Sequence, residues 1–137
     1  MRLVVPILAA AALAACAPPG SPGDHAAKAL SLAGTSWTIA AIDGQPVKTA
    51  RPTAVRFTKD RIEGNAGCNS FGGSYTFAEG KLTADRVIST KMACVGPGME
   101  VEGKFFQIIA GAGVSSAEGG AIELHGSDSN ATLAPER

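Results

Sequence analysis

Residues 64–75 read Gly64-Asn65-Ala66-Gly67-Cys68-Asn69-Ser70-Phe71-Gly72-Gly73-Ser74-Tyr75, and they decide how the rest of the chain is read. Glycines 64, 67, 72 and 73 permit positive φ and close backbone approach, which turns and bulges require. Asn65 and Asn69 are residues whose side chains bond backbone amides nearby and so fix a turn. The stretch reads as a bent strand-turn-strand corner. A second reading makes it a ligand-facing loop, with Asn69, Ser70 and, from the later Ser89-Thr90, Thr90 as polar contacts.

Upstream of this corner, Thr35–Ile42 (TSWTIAAI) carries Trp37, Ile39 and, after a break in the alternation, Ile42, which predicts a first strand. Asp43-Gly44 signals a turn, and Pro46 and Pro52 bound a loop. Val55 and Phe57 alternate with Arg56 and Thr58, Lys59-Asp60 turns the chain, and Ile62 opens a short strand to Asn65. Downstream, Gly72–Phe77 places Tyr75 and Phe77 on one face. Ala78-Glu79-Gly80 leads by a hairpin into Lys81-Leu82-Thr83, and Val87–Thr90 is a further extended piece. After Pro97-Gly98, apolar residues fall at Val101, Phe105, Ile108 and Ile109, the spacing of one helical face. Glu100 and Glu102 sit in its first turns, where negative charge meets the positive end of the dipole. Gly111 stops the helix, and Val114–Ser116, Ile122–Leu124 and Ala131–Leu133 supply the last strands. Short strands at near-regular intervals with one helix predict an α+β fold: a strongly curved antiparallel sheet or partial barrel packed around one α-helix.

The corner, together with Ser89-Thr90-Lys91-Met92-Ala93-Cys94, closely resembles the META domain family, also called the heat-shock-protein HslJ-like family. Leu32-x-Gly34-Thr35-x-Trp37 and Gly44-x-Pro46-Val47 match as well, and the resemblance covers roughly residues 32–125. It implies a small bacterial envelope lipoprotein, with a curved antiparallel sheet enclosing a helix. It also implies links with heat induction, with antibiotic tolerance or with motility, and brings no established catalytic activity with it. The chain departs from the family pattern near its end. Gly126–Asn130 is polar and Ala131–Ala134 short, which leaves the closing edge of the sheet weakly specified.

The first residues set the compartment. Met1–Cys16 reads MRLVVPILAAAALAAC: Arg2 is a short positive region, and Leu3–Ala12 is apolar but too short to span a bilayer. Leu13-Ala14-Ala15-Cys16 resembles the bacterial lipobox, whose cysteine takes a diacylglyceryl group and becomes residue one. An ordinary signal peptide cut at Ala-x-Ala, with Cys16 incidental, is the competing reading. On the lipobox reading residues 1–15 are a signal peptide, 16–30 a lipidated tether rich in Pro, Gly and Ala, and 31–135 the META domain. Several acyl chains make a stable membrane anchor. No Asp follows Cys16, which favours the outer membrane facing the periplasm. Cys16 thus accounts for one of the three cysteines. Cys68 and Cys94 remain, an even pair in a compartment where disulfides persist. A bridge between them would close a loop of about 27 residues and add about 3 kcal/mol in the chain-entropy treatment. Two buried free thiols are the alternative.

Composition trims the functional classes. The 137 residues carry 12 basic and 12 acidic side chains. The basic ones are scattered, so the stripe that nucleic-acid binding requires is missing. Two cysteines with the distant His25 and His125 do not make a zinc set, and no Cys-x-x-Cys occurs. No cofactor motif is present; Gly111-Ala112-Gly113 lacks the third glycine of a dinucleotide loop. Three classes survive. One is a non-enzymatic envelope lipoprotein that binds a protein partner or a small apolar ligand, with a cavity or apolar patch near the helix. Another is a structural, stress-buffering lipoprotein without a discrete ligand. The last is an envelope hydrolase or inhibitor, which requires His125 within reach of a serine.

Overall fold

The computed structural model describes residues 29–137. The expected signal peptide at residues 1–15, Cys16 as the expected acylation site, His25 and most of the expected tether lie outside the described residues. Two acidic-Gly pairs set the register of the sheet. Asp43 (φ 50°) and Gly44 (φ 75°) join β1 (Thr35–Ile42) to β2 (Gln45–Pro46). Glu79 (φ 52°) and Gly80 (φ 73°) join β5 (Ser70–Ala78) to β6 (Lys81–Ser89). Two successive positive φ values give the turn whose twist matches that of antiparallel strands. The remaining strands are β3 (Ala54–Phe57), β4 (Arg61–Asn65), β7 (Ala112–Ser116), β8 (Ile122–His125) and β9 (Asn130–Pro135), and α1 spans Gly98–Ile109.

The strands run β1-β3-β4-β5-β6-β7-β8-β9, all antiparallel, with β2 as a short flap on β1. β9 pairs with β8 on one side and β1 on the other, from Trp37↔Pro135 to Ile42↔Ala131. The sheet therefore closes into an eight-stranded barrel, a fuller closure than a partial barrel. The short final run suffices because Ala131 and Leu133 point into the core while both edges of the strand are bonded. The seam between β6 and β7 is the thinnest, two residue pairs at Lys81↔Gly113 and Leu82↔Ala112.

Both irregularities in the alternation have a local cause. The break between Ile39 and Ile42 is a bulge against β9, and Thr53 serves it. Its Oγ1 accepts from Ile39 N at 2.9 Å and donates to Ile39 O at 3.3 Å. The two extended pieces at 81–83 and 87–90 are one strand, bent at Arg86 (φ 53°), where the register to β5 shifts. At Gly64 (φ 152°) a Cβ would lie 1.9 Å from the Ala54 carbonyl oxygen, so only glycine allows β4 to pair with β3 there.

The helix closes one end of the barrel, where the β1–β2, β4–β5 and β8–β9 turns converge. Phe105, Ile108 and Ile109 are buried in the core with Val55, Phe57, Ile62, Leu82, Leu124 and Leu133. Phe71 of β5 meets Phe105 and Phe106 edge-on at 5.8 and 5.3 Å. Burying each such side chain contributes about 2 kcal/mol. Leu32 and Tyr75 fill the opposite end, and the Tyr75 hydroxyl donates to Thr58 O at 2.7 Å. Burial raises the Tyr75 pKa above its ordinary 10.0, with Asp60 adding to the rise.

Candidate functional site

The β4–β5 corner meets the N-terminus of α1. Asn65 Oδ1 accepts from Gly67 N at 2.8 Å, the side-chain turn expected of an Asn here. Its Nδ2 reaches Cys68 O at 3.4 Å, and Arg51 Nη1 reaches the same carbonyl at 3.3 Å. Contact with the helix is close enough that a Cβ on Gly98 would lie 2.6 Å from Gly67 O. Cys68 is fully buried and is joined to Cys94 by a disulfide with Cα atoms 5.8 Å apart.

Asn69 is the hub of this region. Its backbone N–H donates to Glu102 Oε2 at 2.7 Å and its Nδ2 to Glu102 Oε1 at 3.1 Å. Its Oδ1 accepts from Met92 N at 2.8 Å and Thr90 Oγ1 at 3.0 Å. Both Asn69 (2% exposed) and Glu102 (8%) are buried. The polar capacity of Asn69 is thus spent inside the chain, tying the corner, the segment after β6 and the helix together. Of the three residues read as a ligand-facing loop, the structure brings Asn69 and Thr90 together but turns Asn69 inward. Ser70 and Thr90 are exposed.

Glu102 is the member that sequence reasoning missed. It was read only as a charge for the helix dipole, but a signal was available. Gly98, Glu102, Phe105 and Ile109 are spaced 4, 3 and 4 apart, which places Glu102 on the buried stripe. An acidic residue on such a stripe needs a partner, because a buried charge without hydrogen bonds is costly.

His125 does reach a serine: Ser115 Oγ lies 3.0 Å from its Nε2, across the β7–β8 pair. Glu123 Oε2 lies 3.6 Å from the same nitrogen. A nucleophile–base–orienter relay needs the carboxylate on the other ring nitrogen, which frees Nε2 for the serine. Here both groups compete for one nitrogen on an exposed strand face. No group of three or more His, Cys, Asp or Glu residues with metal-binding geometry occurs among the described residues.

A cleft of about 260 Å³ opens between the β1–β2 hairpin and α1, lined by Ile42, Pro46, Val47, Pro97 and Val101 with Lys48 at its edge. Lys104 bridges its wall, 3.6 Å from Asp43 and 3.4 Å from Glu100. Asp43 also accepts from Asn130 N at 2.9 Å and Ser129 Oγ at 3.2 Å. The Asn130 N–H leads in holding the Asp43 carboxyl below its ordinary 3.8; Ser129 and Lys104 add to this against some desolvation. On the other flank of the helix, Ile88, Met92, Val95 and Met99 are exposed.

Fold and corner together define a small antiparallel barrel plugged at one end by a helix and clasped there by a disulfide. The META domain model matches residues 30–136, and the chain belongs to the META domain family, which is the HslJ-like family. Two proteins with structures solved by NMR share the fold. One is 24% identical, with a TM-score of 0.65 over 74% of this chain and 89% of its own. The other, from Burkholderia xenovorans, is 23% identical, with a TM-score of 0.63 over 96% of this chain and 99% of its own. No curated protein matches the chain.

Proposed function

We propose that the chain is a non-enzymatic lipoprotein of the bacterial cell envelope, acylated on Cys16, that binds an envelope protein or a small apolar ligand at the helix end of its barrel. On this reading it is anchored in the outer membrane facing the periplasm, and its binding serves envelope stress or drug tolerance. The cleft between the β1–β2 hairpin and α1 carries the reading: it combines apolar side chains with Asp43, Lys48, Glu100 and Lys104 and is formed by two separate elements. The geometry at His125 supports a non-catalytic role, since one ring nitrogen is asked to serve both Ser115 and Glu123. A second reading, a structural lipoprotein without a discrete ligand, draws on the inward bonding of Asn69.

Crosslinking in native membranes tests the proposal with three chains: the natural one, Cys16→Ser, and Pro46→Asp at an exposed position of the cleft wall. A partner retained by the natural chain and lost from Pro46→Asp is expected, with Cys16→Ser released from the membrane fraction. Identical capture by the natural chain and Pro46→Asp would remove the cleft from the account. No reproducible capture by any chain would favour the structural reading.

A further inference from the structure

The disulfide joins a firmly held residue to a loosely held one. Cys68 is buried at the corner, with its carbonyl bonded by Arg51 and Asn65. Cys94 is half-buried, in a segment whose preceding residues are fixed by Asn69 and Ser70. Thr90 N donates to Ser70 O at 3.0 Å, and Met92 N to Asn69 Oδ1. From Ala93 to Gly96 no backbone hydrogen bond ties the segment to the rest of the described chain. Val95 is 94% exposed and Gly96 has φ 83°. The bond to Cys68 is therefore what pins this stretch. Pro97, immediately after it, is a wall of the cleft, and its carbonyl accepts from Val101 N to start the helix.

We propose that the Cys68–Cys94 bond is an exchangeable latch, opened by a dithiol reductant acting at Cys94, and that opening it frees residues 93–97 and removes one wall of the cleft while the barrel stays folded. The thiol–disulfide state of the compartment then sets whether the cleft is formed. The exchange stands on the unequal burial and bonding of Cys68 and Cys94; its consequence for binding rests on the cleft reading above.

The chemistry balances. A thiolate of the dithiol attacks Sγ of Cys94, the less buried of the two residues, forming a mixed disulfide as the Cys68–Cys94 bond breaks. The electron pair leaves with Cys68 Sγ, which takes up a proton. That sulfur accepts from Asn69 Nδ2 at 3.4 Å, and a hydrogen bond of this kind favours a departing thiolate. The second thiolate of the dithiol then attacks its own partner sulfur and releases Cys94 as a thiol. Two electrons and two protons pass to the protein, and the dithiol is oxidised to a disulfide. The ladders of the barrel do not depend on this bond, and Asn69 still holds residues 90–92 through Thr90 and Met92.

The test treats the full chain with dithiothreitol without denaturant and follows three readouts. Cys94 should become alkylatable by N-ethylmaleimide while the melt stays cooperative. Backbone order parameters at Val95 and Gly96 should fall from about 0.8 to below 0.6, with those of Ile39 and Leu133 unchanged. Cys94→Ala should give the same order parameters without reductant. The dye 1-anilinonaphthalene-8-sulfonate, bound in the cleft, should bind the reduced chain about tenfold more weakly. Resistance to dithiothreitol until denaturant is added, loss of the barrel on reduction, or unchanged order at Val95 would each overturn the latch. Equal dye binding in both states would overturn its control of the cleft. Dye binding in neither state would sink the cleft reading alone, since the order parameters still decide the exchange.

Discussion

Asn69 and His125 each belong to a three-part polar cluster with hydrogen-bonding distances, yet the two regions are built differently. Around Asn69, the backbone N–H and the side-chain amide both donate to a buried carboxylate, and the segment after β6 is drawn in through Thr90 and Met92. Around His125, three side chains meet on the outside of the β7–β8 pair, two of them at one nitrogen. Residue types alone would rank the second cluster higher, because Ser, His and Glu are the vocabulary of hydrolysis. Burial and partner count reverse that order. A satisfied buried network fixes a structure, whereas an exposed cluster of the same size is a surface contact.

That contrast is tested most severely at Glu102. Glu102→Ala leaves the Asn69 N–H and Nδ2–H without their acceptor in a buried corner and should cost about 4 kcal/mol, read from the urea midpoint. A cost below about 1 kcal/mol would mean that water replaces the carboxylate and that the corner is no clasp. Next in size, Cys94→Ser should lower stability by about 3 kcal/mol under oxidising conditions and by little in reductant, where the natural chain has lost the same bond. Equal losses in both conditions would assign the effect to packing.

At the opposite end, Tyr75→Phe should cost about 1 kcal/mol at neutral pH through the lost bond to Thr58 O. It should also change the alkaline limb. The Tyr75 pKa is raised in the folded chain, so its contribution is full below the unfolded value near 10 and is lost as pH rises through the higher folded value. The variant's stability should therefore fall less steeply above pH 10, and parallel alkaline limbs would refute this. Smallest of all, His125→Ala should stay within about 0.5 kcal/mol of the natural chain. A large loss, or an ester-hydrolysing activity abolished by both His125→Ala and Ser115→Ala, would break the comparison outright.

Much of the fold was legible because it is local. The pairs Asp43-Gly44 and Glu79-Gly80 announce their turns, and the inward sequence Trp37, Ile39, Ile42 even records the bulge as a missed beat. What was not legible depends on distant partners. β6 was read as two pieces because Asp85 and Arg86 interrupt the alternation, and only the pairing to β5 shows that the strand continues through a bend. The closure by β9 depends on β1, about ninety residues upstream. At the corner, the residue types were recognised but their direction was not. The main reading makes Asn69 a turn-fixing residue of a structural corner and the second makes it a ligand contact; neither supplies its partner Glu102, which lies on another element.

The pairing of β1 with β9 also has a mechanical consequence. The chain enters the barrel beside Thr35 and ends beside Pro135, at the same pole, with Glu136 N donating to Ser36 O. A pull applied at Thr35 along the axis of β1 meets a strand gripped on one side by β3 and on the other by β9. The load is shared by both ladders at once, in shear, and cannot unzip them bond by bond.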